Sequence, residues 1–202
     1  MRVVPWVAMA MLALLVALYA LMALAMPGFG PPFLAERRAE MPWAVYAHLG
    51  GSLWALATGP WQLNERLRER ALRRHRWLGR SYVLGVVIGG VGALGLVPHA
   101  QTGATARVGF GVLGVLWLAF TLLAFLHIRR RDPAAHRRWM VRSYALTLAA
   151  VTLRIYLPLA FAMGVSFEAA YPVIAWVSWV PNLVLVELWL ARRGGAVPVA
   201  VT

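Results

Sequence analysis

Apolar blocks of about 20 residues recur along this chain and constrain its fold more than any other feature. Six such blocks lie between residues 3 and 191, separated by turn residues and arginine clusters. A helix of about 20 apolar residues crosses the ~30 Å hydrocarbon core of a bilayer. The chain is 61% hydrophobic, whereas soluble domains are roughly 45–50% apolar. The sequence therefore predicts an all-α, polytopic membrane helix bundle.

The block boundaries predict six transmembrane helices in one membrane domain. Asp132 is a good N-cap and Pro133 a good first helical residue, so a helix is expected to begin there. We divide the domain into a first helix and outer loop (1–42), a five-helix core (43–193) and a disordered tail (194–202). The predicted spans are Val3 to Met26, Trp43 to Gln62, Trp77 to Pro98, Val108 to His127, Pro133 to about Met163, and Tyr171 to Ala191 with a kink at Pro181.

Arginine distribution predicts the orientation of the bundle. The net charge of +13 comes from 20 arginines and no lysines against seven acids. With both termini in the cytoplasm, sixteen arginines fall on the inner side and only Arg37, Arg38 and Arg107 on the outer side, as the positive-inside rule requires. The same arginines suit anionic lipid headgroups, and no separate basic domain exists to bind nucleic acid. We therefore expect a multi-pass membrane protein with both termini on the cytoplasmic side.

The fifth block is unusual because it carries arginines within an apolar run. An arginine near the centre of a bilayer costs at least ~2.5 kcal/mol, so it is expected to turn towards neighbouring helices. At 100° per residue, one face of this helix gathers polar and small side chains. The second and third helices carry similar stripes of small residues, which let helix backbones approach closely. The fifth-helix stripe is His136, Ser143, Thr147, Ala150 and Arg154.

Helix depth sorts the polar side chains into two layers. At 1.5 Å per residue, His48 and Arg154 lie in the outer third of their spans. Arg154 is a candidate for binding the anionic end of a ligand, and it could equally cap carbonyls near Pro158 or bond Asn182. The inner layer consists of His75, His136, Arg142 and Glu187, with Asn182 between the layers, and Arg142 and Glu187 are also candidates for a structural ion pair.

The histidines are the candidate cofactor ligands. Histidine is the natural axial ligand of b-type haem in a helical bundle, and His75 and His136 share one depth, so they are the candidate haem-iron ligands. His48 is a candidate outer haem ligand, proton relay or quinone contact, with Arg154 on a propionate or quinone oxygen. Wet interfacial histidines are the alternative. The absence of cysteine excludes Fe–S clusters and covalently attached haem.

Several motifs between residues 48 and 187 give the chain a family resemblance: the runs from His48 to Gln62, from His75 to Tyr82, from His136 to Arg154, and from Trp176 to Leu183 with Glu187 after it. The chain resembles a bacterial family of predicted membrane proteins, the domain of unknown function 2306, over about residues 43 to 192. Its arrangement of histidines is also similar in architecture to the cytochrome b561 and ferric-reductase-like group, which implies haem between pairs of helices. The resemblance to this bacterial family implies a location in the inner (cytoplasmic) membrane.

Three functions stay open at this point. The first is a haem b or quinone-interacting electron-transfer protein, hence a membrane oxidoreductase with a quinone or redox partner. The second is a binding or transport protein for a small molecule or lipid, with His48, Arg154 and Asn182 lining its cavity. The third is a ligand-free membrane assembly subunit. Neither H-E-x-x-H nor G-x-S-x-G occurs, so hydrolytic activity is not expected.

Overall fold

The computed structural model describes residues 3–26 and 28–194, and within these ranges it contains helices and no strands. The predicted tail from residue 195 onward lies outside the described residues. A single 3₁₀ turn, Val97–His99, follows the fifth helix. The helices are α1 Val3–Ala25, α2 Pro32–Glu40, α3 Pro42–Gln62, α4 Glu65–Arg70, α5 Leu72–Leu96, α6 Ala104–Arg129, α7 Pro133–Thr147, α8 Ala149–Ala162, α9 Phe167–Val177 and α10 Val180–Gly194.

Long apolar helices confirm a multi-pass membrane protein. Five helical segments are long and apolar enough to cross a bilayer, with α7–α8 and α9–α10 each counted as one segment. The second predicted span, α3, is 21 residues long and is not one of these five segments. The five segments are Val4–Ala25, Leu72–His99, Ala104–Arg129, Pro133–Ala162 and Phe167–Arg193.

Two predicted loops contain short helices. The loop after the first span was expected to be irregular up to Met41, but α2 forms there with Pro32 at its first position, where a missing N–H costs nothing. The arginine-rich connection after α3 forms α4, whose N-cap Asn64 accepts a hydrogen bond from the Leu67 amide at 3.1 Å. The third predicted span begins earlier than Trp77, so His75 belongs to the first turn of α5.

Helix α3 lies antiparallel between α1 and α5 along its whole length. At one end Trp6 of α1 donates to the Pro60 carbonyl at 2.9 Å. At the other end, buried Ala23 of α1 clusters with Val45. Towards α5 the backbones nearly touch, because a Cβ built on Gly51 would overlap the backbone of Gly89. The predicted stripes of small residues on α3 and α5 therefore face each other.

The last two predicted spans are each interrupted. The fifth begins as predicted, because Asp132 Oδ1 accepts a hydrogen bond from the Ala135 amide at 2.9 Å. It is broken at Leu148, between α7 and α8. The sixth is broken at Ser178 and Trp179, before Pro181, a residue that has no amide to continue the helical ladder. Both interruptions lie at one place, where Thr152 donates to the Ser178 carbonyl.

Candidate functional site

A buried polar network fills the centre of the bundle between α5, α6 and α7. The phenol oxygen of Tyr82 lies 2.9 Å from both Ser143 Oγ and Thr147 Oγ1. Trp117 Nε1 donates to Thr147 Oγ1 at 2.9 Å, and Thr121 Oγ1 lies 2.7 Å from Ser143 Oγ. All five side chains are buried. Ser143 and Thr147, predicted as polar core residues, are therefore occupied in holding three helices together.

Three members of this network, Tyr82, Trp117 and Thr121, were not predicted. Each lies in an apolar span and carries a side chain that also suits a hydrophobic core. One signal was available for Tyr82, because the spacing W-x2-R-S-Y occurs twice, at Trp77–Tyr82 and at Trp139–Tyr144. Both copies lie near the start of a helix, and in each the arginine lies over the ring of its own tryptophan.

His75 and His136 come together at the arginine-rich end of the bundle. His136 Nδ1 lies 2.8 Å from the Ala124 carbonyl oxygen. Because a carbonyl only accepts, Nδ1 carries the proton, and the neutral ring leaves Nε2 with the free lone pair. His75 Nδ1 is buried with no hydrogen-bond partner among the described residues. The two rings are close enough to interact electrostatically.

An ion pair outside the spans fixes the start of α7 beside α4. Arg137 donates to the carboxylate of Glu65, and this hydrogen bond with its charge lowers the pKa of Glu65 below its ordinary value. The hydrogen bond that Asp132 accepts from the Ala135 amide likewise lowers the pKa of that carboxyl group. These contacts order the first turn of α7, the turn that carries His136.

His48 lies near the opposite end of the bundle, at the close contact between α3 and α5. Its Nδ1 donates to the Gly89 carbonyl at 3.1 Å and lies 3.3 Å from Ser52 Oγ. The neutral ring therefore again leaves Nε2 with the lone pair. No second histidine among the described residues contacts it. His99, which lies at the same end, belongs to the 3₁₀ turn after α5.

Arg154 of α8 is held without a carboxylate. Its guanidinium lies over the ring of Tyr19, 4.6 Å from the centroid, and Nη1 donates to the Ala150 carbonyl at 3.0 Å. Its Nε is buried and has no hydrogen-bond partner in the described part of the chain. None of the ion pairs between described residues involves Arg154. The structure places His48 close enough for an electrostatic interaction with it.

The remaining predicted residues make structural contacts. Arg142 and Glu187 form a two-pronged ion pair, with Nε and Nη2 donating to the two carboxylate oxygens at 2.6 and 2.7 Å. Asn182 Nδ2 contacts the Ala145 and Ser178 carbonyls and Thr152 Oγ1 at 3.1 to 3.4 Å. Asn182 is therefore committed to the helix interruptions, and among the described residues it forms no hydrogen bond with Arg154.

The two candidate sites are separated along the bundle. Arg154 follows His136 by 18 residues of nearly continuous helix, which is about 27 Å at 1.5 Å per residue. A ligand held by His75 and His136 would therefore not contact Arg154. The structure contains two polar sites at opposite ends, with the closed hydrogen-bond network between them.

Most of the chain matches one known protein family. A family model described as Predicted membrane protein (DUF2306) matches residues 45–190, which is most of the chain. It covers α3 from its first turn through most of α10 and leaves out α1 and α2. No curated protein and no solved structure matches the chain.

Proposed function

The chain belongs to this family of membrane proteins, and we propose that it binds haem b at its arginine-rich end and acts as a membrane electron-transfer protein. Haem needs ligand nitrogens that carry a free lone pair and an orientation fixed by a hydrogen bond on the other ring nitrogen. The observation that carries the proposal is the hydrogen bond from His136 Nδ1 to the Ala124 carbonyl, which leaves Nε2 free beside His75.

The residues present suit this group. His75 has a buried ring nitrogen without a partner, which is costly unless a ligand or proton acceptor satisfies it. Several arginines at this end, among them Arg68 and Arg76, act electrostatically on His75 and would offset the propionate charges. Bound haem would supply one-electron chemistry. The Ala124 carbonyl would orient His136, and the ion pair of Arg137 with Glu65 would hold the first turn of α7 in place.

The membrane arrangement completes the proposal. Helix α3 spans the same depth as α1 and α5, and its 21 residues give about 31 Å at 1.5 Å per residue, so we propose it as the sixth span. Six spans place both termini on one side. The concentration of arginines at the starts of α5 and α7 and at the end of α10 favours the cytoplasmic side of a bacterial inner membrane. The electron partner would be a membrane quinone or a second protein.

Absorption spectroscopy of the purified full-length protein tests this function. Protein from haem-replete cells, or protein supplied with hemin after purification, is expected to show a Soret band that shifts on reduction by dithionite. His75→Ala and His136→Ala should each reduce the bound haem at least tenfold, because each removes an axial ligand. His127→Ala is the matched control, because His127 lies at the same end but faces Asp132 at 3.5 Å.

A colourless protein that takes up no hemin would overturn the proposal. So would a Soret band that persists unchanged in both histidine variants, because the haem would then have other ligands. An equal loss of haem in His127→Ala would show that the effect is not specific to the proposed pair.

A further inference from the structure

A second site lies where α1, α3, α8 and α9 meet around Arg154. Its guanidinium is the central group, and Tyr19 of α1, His48 of α3 and Tyr171 of α9 act on it electrostatically or through ring contact. The two phenols and the neutral imidazole carry no negative charge, so none of them balances the charge of Arg154. Tyr19 belongs to α1, and α1 lies outside the region matched by the family model. Part of this site therefore comes from a helix outside that region.

The charge of Arg154 is only partly satisfied. One nitrogen, Nη1, donates to a carbonyl oxygen. Nε is buried and has no acceptor among the described residues. Glu168 is the acidic residue closest in sequence to Tyr171, and it forms no ion pair with Arg154 among the described residues. An uncompensated cation in an apolar setting binds an anion more strongly than it does in water. The planar guanidinium also presents paired donors that match a carboxylate or phosphate.

From this geometry we propose that Arg154 binds the anionic oxygen group of a lipid-like amphiphile. The ligand would place an oxygen of its carboxylate or phosphate against Nη2, the guanidinium nitrogen that is neither buried without a partner nor bonded to Ala150, and the ring of Tyr19 would cover one face of the guanidinium. Its chain would lie in the hydrocarbon, because the helices around the site expose apolar side chains such as Leu18 and Ile155. The site is independent of the proposed haem site, which is about 27 Å away along the helix.

Charge decides between this ligand and a quinone. A quinone offers neutral carbonyl oxygens, which can accept hydrogen bonds from Arg154 but leave its charge uncompensated. A carboxylate or phosphate accepts these hydrogen bonds and also compensates the charge of Arg154. The neutral ring of His48 adds a second discriminating feature, since its free Nε2 can accept a hydrogen bond from the remaining O–H of a singly ionised phosphate, a donor that a quinone lacks.

Native mass spectrometry of the full-length protein in detergent tests the proposal with four probes. These are oleate, dioleoyl phosphatidate, dioleoyl phosphatidylcholine and decylubiquinone. We expect oleate or phosphatidate to bind the wild-type protein, and Arg154→Gln to weaken that binding about 10- to 100-fold, the scale of a charged hydrogen bond. Arg154→Lys should retain part of the affinity because it keeps the charge. Binding of oleate alone would identify a free carboxylate, and binding of phosphatidate alone would identify a phospholipid.

Arg37→Gln is the matched control, because Arg37 lies at the same end but pairs with Glu40 at the surface. Equal binding by wild type and Arg154→Gln would overturn the proposal, as would binding of decylubiquinone alone or of no probe.

A measurement on the wild-type protein keeps the test valid if Arg154→Gln does not fold. A fatty acid with a photoreactive group next to its carboxylate should label α1 near Tyr19 or α9 near Tyr171. Labelling confined to other helices would contradict the assigned site.

Discussion

Tyr82 and Tyr144 occupy the same position in two copies of W-x2-R-S-Y, and their ring centroids lie 6.4 Å apart. The hydroxyl of Tyr82 is hydrogen-bonded, whereas that of Tyr144 has no partner among the described residues. Both rings are almost fully buried. The two copies begin helices that run in the same direction from the arginine-rich end. Equivalent sequence positions have therefore acquired different roles, a polar anchor in α5 and an apolar filler in α7.

The first prediction concerns the polar anchor. Tyr82→Phe removes the hydroxyl that contacts Ser143 and Thr147, so the network loses two buried hydrogen bonds. We expect a loss of about 1 kcal/mol in unfolding free energy, the scale of interhelical hydrogen bonds in membrane proteins. Thermal or denaturant unfolding in detergent measures it. Tyr46→Phe is the control, because that ring is exposed, and an equal loss in both variants would contradict the role of the network.

The second prediction concerns the contact between α3 and α5. In Gly51→Ala the new methyl group would overlap the backbone of Gly85 and Gly89, so the helices must separate. Overpacking of this kind costs about 1–3 kcal/mol. The adjacent Gly50→Ala is a matched control, since a Cβ there meets nothing within 4 Å and alanine favours the helix. The melting temperature should fall in the first variant and stay the same or rise in the second.

How far sequence reasoning succeeded depends on the range of the interactions involved. The spans, the N-cap Asp132 and the facing small-residue stripes were predictable, because apolar length, capping and helical periodicity are local properties. The interruption at Leu148 was not, because no proline or glycine lies there and the nearby Ala145 carbonyl is bonded by Asn182, which is distant in sequence. The hydrogen bonds of Tyr82 and the ring contact between Tyr19 and Arg154 depend in the same way on helices distant in sequence.

The third prediction concerns the pH dependence of the contact between α4 and α7. The pKa of Glu65 lies below its ordinary value of 4.5 in the folded protein because of Arg137. The ion pair therefore stabilises the fold fully above that ordinary value, and this contribution is lost as the pH falls through the lowered pKa. We expect Glu65→Gln to flatten the decline in melting temperature between about pH 5 and pH 3. Glu69→Gln on the same short helix is the control, and an unchanged slope in Glu65→Gln would contradict the link.

The fourth prediction concerns Tyr144, the apolar filler of α7. The hydroxyl of Tyr144 is buried without a hydrogen-bond partner among the described residues, and its ring fills the space left by Gly59 of α3. Burying an unsatisfied hydroxyl costs about 1–3 kcal/mol. Tyr144→Phe keeps the ring and removes that cost, so its unfolding free energy should be unchanged or higher than that of the wild type.

This result would be opposite in sign to that of Tyr82→Phe at the equivalent position of the repeat, and unfolding in the same detergent compares the two directly. A loss in Tyr144→Phe as large as in Tyr82→Phe would mean that the Tyr144 hydroxyl has a partner, such as a bound water. The two copies of W-x2-R-S-Y would then both be polar anchors, and the distinction between α5 and α7 would not hold.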